Sequence, residues 1–289
     1  MVFLPICPLL LILGVQMLCS SVITSVYNTQ TASISVWLSG AAYCGREQYD
    51  TMRLDGDAAN VVVKKTLYDI KTDLQGFIGI SSQTKQIIIA FRGSSSVLNW
   101  MDDFEVKQVP YTTFSDCPKC AIHYGFYRSA LAVRNLTIDT IKYLKLVYPF
   151  YKVIVTGHSY GAAIAQIISM ELLSAGFSSE IYNFGQPRIG NAIYAAYVNT
   201  MIPVYWRFTH YQDVVPHLPP ITGFGYLHSC REVYEDMTHE IHVCSDVECE
   251  DPTGSDQFPL YKTNADDHML YLNHYLSCVN STQSLVTDR

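Results

Sequence analysis

Residues 151–165 read Y-K-V-I-V-T-G-H-S-Y-G-A-A-I-A. Val153, Ile154 and Val155 form a short apolar run of the kind that makes a buried parallel strand. Gly157-His158-Ser159-Tyr160-Gly161 interrupts it, and a small-residue, apolar segment of helical character follows. Strand, sharp turn, helix is the setting in which G-x-S-x-G presents a nucleophile; without it the same letters describe any glycine-rich turn. The glycines are needed because the turn is strained and the helix must pass close to the strand. The turn lifts the Ser159 hydroxyl out of the sheet, where the helix N-terminus favours developing negative charge.

Outward from this stretch the chain alternates strand and helix. Segment 27–44 reads as a helix packed on the core. Segments 74–81 and 86–91 read as a hairpin of strands, and 125–148 as a long amphipathic helix stopped by Pro149. Further strands are expected at 180–184 and 204–209, then 231–235, before a polar, loop-rich stretch to Asp267. Such alternation argues for a mostly parallel sheet covered by helices on both faces. With 289 residues, 49% of them hydrophobic and only 16% charged, and neither a repeat nor a linker, one domain is the economical reading. The formal charge of −7 and the absence of a basic patch argue against a nucleic-acid partner.

No Lys, Arg, Asp or Glu precedes Arg46, and residues 9–18 are apolar apart from Gln16. With small residues at Cys19-Ser20-Ser21, this resembles a signal peptide over 1–21, leaving a mature domain of 22–289 with no transmembrane span. A signal anchor is the alternative, because the first residues carry no basic side chain. Secretion permits disulfides. Of nine cysteines, Cys7 and Cys19 leave with the signal. Cys117 and Cys120 read as a local bridge rather than half of a zinc site, since no second C-x-x-C is present. Cys244 and Cys249 are similarly close, which leaves Cys44 and Cys278 as a long staple and Cys230 as the odd thiol, with a Cys230–Cys244 pair the other option. Asn135-Leu-Thr and Asn280-Ser-Thr are glycosylation sequons, the second in the polar tail beyond Cys278.

Serine needs a base to take its proton and an acid to orient that base. On this elbow the chain order is serine, acid, histidine. Asp213 fits the acid because it follows the strand V-Y-W-R-F-T, whereas Asp246, Asp251 and Asp256 lie in polar loops. For the base, His268 opens an apolar, aromatic run that could dock the ring, and His274 is its main rival. The oxyanion donors are expected from the backbone N–H of Tyr160 and from Ser94, after the strand I-I-I-A-F-R-G. Val97, Trp100, Met101 and Phe104 fall at i, i+3, i+4, i+7, with Asn99, Asp102 and Asp103 opposite, so they form a short amphipathic helix. Exposing that face to water would cost roughly 5–10 kcal/mol, which an oil–water interface removes; such a segment is expected to act as a lid.

F-R-G-S-S-S with Asn99-Trp100, V-T-G-H-S-Y-G-A-A, F-G-Q-P-R-I-G-N, T-H-Y-Q-D-V-V-P-H-L-P-P and D-H-M-L-Y-L before a terminal Cys resemble, in order, the secreted fungal-type (class 3) lipases. The resemblance implies an α/β-hydrolase fold with a short helical lid and hydrolysis of triacylglycerols at oil–water or membrane surfaces, with no cofactor and no metal. It assigns Ser159 as nucleophile, Asp213 as acid, His268 as base, Ser94 as oxyanion residue and Trp100 as the lid tryptophan, and it favours the pairs Cys44–Cys278 and Cys117–Cys120. Phospholipids cut at the sn-1 position and feruloyl esters are the alternatives within the same fold, and a catalytically silent lipid binder is a third. Two positions depart from the family pattern: Tyr160 stands where leucine is usual, and Ala162 where the second glycine is usual. The first is expected to narrow the acyl groove.

Overall fold

The computed structural model describes residues 27–49, 54, 58–94, 105–245 and 249–278. The expected signal peptide, the lid positions Val97, Trp100, Met101 and Phe104, and Asn280 lie outside these residues. In chain order the elements are α1 (Thr29–Ala41), β1 (Val61–Asp69), β2 (Leu74–Ser81), β3 (Gln86–Phe91), β4 (Gln108–Pro110), β5 (Ala121–His123), α2 (Tyr124–Val147), β6 (Lys152–His158), α3 (Tyr160–Ser174) and β7 (Glu180–Phe184). Then come β8 (Gly190–Asn191), α4 (Ala192–Met201), β9 (Tyr205–His210), β10 (Tyr226–Leu227), β11 (Glu232–Glu235), β12 (Ile241–Val243), β13 (Leu270–Tyr271) and β14 (His274–Tyr275).

The main sheet runs β1-β2-β3-β6-β7-β9-β11-β12. Its centre, from β3 through β6, β7 and β9 to β11, is parallel. Antiparallel strands close both edges. The apolar run of β6 feeds both faces: Val153 and Val155 enter one core, Ile154 the other. Helices α2, α3 and α4 cover the first core, and α1 with the C-terminal segment around Tyr271 and Leu276 covers the second. Strand β1 escaped sequence reading because its V-V-V-K-K-T-L-Y lies half-exposed at the sheet edge, without a clean alternation.

Helix α2 shows why these residues make these elements. Phe126, Ala130, Val133, Thr137, Ile141 and Leu144 recur every three or four positions and are all buried. The His123 Nδ1 accepts the Phe126 N–H at 3.2 Å as its N-cap. Tyr148 breaks the helical conformation just before Pro149, which lacks the N–H to continue it. Asn135 is exposed on this helix, while Thr137 of the same sequon is buried and donates its hydroxyl to the Val133 carbonyl.

Cys44–Cys278 joins the residue just beyond α1 to the C-terminal segment, and Cys117–Cys120 closes a local turn. The expected Cys244–Cys249 bridge is not formed. Cys249 pairs with Cys230 instead, and Cys244 is the free thiol among the described residues. The cause is Glu250, the residue beside Cys249. Glu250 pairs with Arg188 at 2.8 Å and accepts the His228 N–H at 2.7 Å, which carries its neighbour across to the start of β11, where Cys230 sits. Closeness along the chain was a poor guide to closeness in space. Burial pushes the Cys244 thiol up to about 12, so it is inert.

Candidate active site

The turn between β6 and α3 is an elbow. Ser159 has φ 56° and ψ −128°, a conformation that side chains rarely adopt. Its N–H is tied to the Phe184 carbonyl at 2.9 Å and its own carbonyl accepts the Ala162 N–H at 2.9 Å. A Cβ on Gly161 would run into the carbonyl oxygens of Phe91 and Arg92, and one on Gly157 into the backbone of Gly161. Only glycine therefore lets α3 start so close to β3 and β6. The Tyr160 N–H belongs to the first turn of α3 and has no intrahelical acceptor.

Asp213 lies beyond the end of β9, in a loop bridged to Asn264. Its Oδ1 accepts the Val215 N–H at 2.8 Å. Its Oδ2 accepts from His268 Nδ1 at 2.8 Å and from the Tyr271 hydroxyl in a short hydrogen bond. Both partners of the His268–Asp213 pair are almost wholly buried. Nδ1 must carry the proton in this pair, which leaves Nε2 with its lone pair. Among the described residues, His268 Nε2 and Ser159 Oγ are both buried and have no hydrogen-bond partner.

Several residues that sequence reading passed over set this geometry. Gly185, at φ 56°, ends β7; a Cβ there would meet His268 Cε1 at 2.7 Å and the Tyr271 hydroxyl at 2.9 Å. The F-G-Q-P-R segment thus opens the space the imidazole occupies. His158, next to Ser159, accepts the Tyr43 hydroxyl on Nδ1 at 2.7 Å and donates from Nε2 to the His268 carbonyl at 2.8 Å. Burial holds its pKa well below the usual imidazole value, with the neighbouring His268 adding to the effect, so it stays neutral and keeps both bonds. Tyr271 loses acidity through burial and the adjacent Asp213 carboxylate, and remains a donor. Glu235 Oε2 accepts the Leu272 N–H at 2.7 Å and anchors the far side of the loop.

The rivals fall elsewhere. His274 packs at a tilt against Trp37, 4.4 Å between ring centroids, with its pKa lowered by burial. Asp251 accepts from Ser245 and Thr253, and Asp256 lies beside Arg188 at 3.3 Å. Asp246 lies outside the described residues. Ser94 follows Gly93, where a Cβ would come within 2.9 Å of Ser159 Cβ. The Tyr160 ring packs edge-on against Phe126 at 5.8 Å between centroids, and burial pushes its phenol up to about 12.

A mostly parallel sheet with helices on both faces, a strained elbow after β6 and an acid loop after β9 define the α/β-hydrolase class. The Lipase (class 3) family matches residues 88–223. A lipase of Rhizomucor miehei is 35% identical over 231 residues, 75% of this chain and 62% of that protein. Secreted mono- and diacylglycerol lipase 1 of Fusarium solani is 31% identical over 201 residues, 67% of this chain and 59% of that one. The native Rhizomucor miehei lipase propeptide complex matches with a TM-score of 0.79 at 30% identity, covering 88% of this chain and 84% of that chain. The chain belongs to the class 3 lipase family. It spans about three fifths of the length of the curated relatives it matches. Among the described residues no helix is long and apolar enough to cross a membrane.

Proposed function

We propose that the chain is a secreted serine hydrolase that cleaves the ester bonds of acylglycerols, triacylglycerols included, at a lipid–water surface. The observation that carries this reading is the buried His268–Asp213 pair at 2.8 Å, with Ser159 Oγ and His268 Nε2 both buried and each still unpartnered. Ser159 Oγ attacks the ester carbonyl while His268 Nε2 takes its proton, and Asp213 stabilises the imidazolium. The Tyr160 N–H and Ser94 receive the oxyanion. His268 then returns the proton to the departing alcohol. A water molecule, deprotonated by the same nitrogen, releases the fatty acid and restores Ser159. The names of the relatives, lipases and secreted acylglycerol lipases, support the substrate class and the compartment. The three disulfides among the described residues fit an oxidising environment. The apolar face of Val97, Trp100, Met101 and Phe104 supplies the lid, and Asn135 offers an exposed glycan acceptor.

The test is hydrolysis of tributyrin across its solubility limit, by the wild type and by Ser159→Ala. The wild-type rate should jump where droplets form, and the variant should lose roughly a million-fold in kcat at every concentration. Equal rates would refute the enzyme, and a smooth hyperbola through the limit would refute the lid. Triolein against phosphatidylcholine, both emulsified, then sets the headgroup preference.

A further inference from the structure

On the far side of the base loop, three side chains form a cluster that the reaction above does not use. His210 ends β9, Glu235 ends the adjacent β11 directly opposite it, and His239 sits in the turn that leads to β12. One ligand atom from each lies within 4.8 Å of the other two. His210 and Glu235 are buried, and His239 is about one-third exposed, which opens the cluster to solvent at one side. The two imidazole rings are parallel to within 2°.

The hydrogen bonds around the cluster prepare these atoms for a cation. His210 Nδ1 donates to the Asp267 carbonyl at 2.9 Å, which fixes the ring and leaves the Nε2 lone pair unused. Glu235 spends Oε2 on the Leu272 N–H, and its Oε1 is hydrogen-bonded to His239 Nδ1 at 2.8 Å, a bond the ion would replace. Among the described residues, neither Lys nor Arg pairs with this buried carboxylate. An imidazole held through its second nitrogen by a backbone carbonyl, beside an anchored carboxylate, is the usual support of a zinc ligand set.

We propose that His210, Glu235 and His239 bind one divalent transition-metal ion of the zinc type, with water completing the coordination. Two imidazoles and a carboxylate match that ion's preferences. Metal–ligand bonds of about 2.0–2.2 Å place ligand atoms roughly 3.4 Å apart, so the 2.8 Å contact between Glu235 Oε1 and His239 Nδ1 opens slightly to admit the ion, and His239, the most exposed of the three, is the side chain that moves. Binding expels any proton on the ligating imidazoles. The ion clamps the base loop from behind: Asp267 precedes His268, and Leu272 follows Tyr271. The neighbouring set Asp236, Glu240 and His242 is more exposed, and the Asp236 carboxylate already accepts from Thr238 and from the Glu240 N–H.

Chelator-stripped full-length protein is titrated with zinc chloride in a calorimeter, and bound metal is counted after gel filtration. One ion per chain is expected, with affinity falling by at least about 100-fold in His239→Asn and in Glu235→Gln and unchanged in His242→Asn. Asparagine tolerates the φ of 66° at position 239, and glutamine keeps the acceptor for Leu272, so both variants should fold. Zinc should also slow amide exchange over residues 267–272 in the wild type. Substoichiometric binding, or binding that survives His239→Asn and vanishes in His242→Asn, overturns the proposal.

Discussion

The elbow and the loop that brings the base to it are held by different forces. From Lys152 to Ser174 the elbow is a strand and a helix pressed together through glycine, and its constraints are backbone against backbone. Residues 264–278 hold only a single 3-10 turn and a two-residue hairpin. Side chains place that loop. Asn264 receives the N–H groups of Asp266 and Asp267, Tyr271 and His268 converge on Asp213, and Cys278 is tied to Cys44. His158 is the link, with its ring following the elbow strand and its Nε2 on the His268 carbonyl. Ser159 is therefore fixed by local chain geometry, while the place of His268 depends on groups far away in sequence.

The contrast predicts that conservative side-chain changes around the base loop cost turnover without unfolding the elbow. The largest effect is expected from Asp213→Asn, which leaves the shape intact but presents the wrong hydrogen-bonding pattern to the imidazole. Its kcat should fall by roughly 10,000-fold while the circular dichroism spectrum stays native. Retention of a tenth of the activity would show that the base is oriented by something other than this carboxylate.

Acid should loosen the side-chain network next. Burial lowers the pKa of His123, His158, His217, His228 and His274. The unfolded chain takes up protons below its imidazole value of about 6.5 while the folded chain does not, so the stability these groups contribute is present above that pH and is lost as pH falls. His123, lowered to about 4, alone accounts for about 2 kcal/mol between pH 7 and pH 5. Asp256, pushed up to about 6 by burial, acts in the opposite sense and offsets part of the loss. Urea midpoints measured at both pH values should be lower at pH 5, and equal midpoints would contradict the burial argument. The smallest effect is expected from Tyr271→Phe. Removing one donor from a carboxylate that keeps two others should cost about ten-fold in kcat with KM nearly unchanged. An equal loss in KM would place Tyr271 at the substrate instead.

Legibility in the sequence divides along the same line. The elbow could be read because strand, glycines and helix are contiguous. Asp213 could be read because a strand end announces it. His268 and His274 could not be separated by local pattern, since they differ in the partner each meets: Asp213 for one and Trp37 for the other. Gly185 and Tyr271 stand inside the motifs F-G-Q-P-R-I-G-N and D-H-M-L-Y-L, yet their roles could not be read, because the space one opens and the bond the other makes exist only after the loop has docked. The Cys230–Cys249 pair was missed for the same reason, its cause being a charge pair between Glu250 and Arg188. His210 is brought to Glu235, and so to His239 four residues further on, by the parallel pairing of β9 and β11, which no spacing in the chain reveals.

The most direct measurement is mass spectrometry of the chain after reaction with an activated alkyl phosphonate, which traps a serine only when a neighbouring imidazole deprotonates it. One adduct is predicted, on Ser159, with labelling slowed by several orders of magnitude in His268→Ala. An unlabelled Ser159, or a His268→Ala variant that reacts as fast as the wild type, would contradict the account.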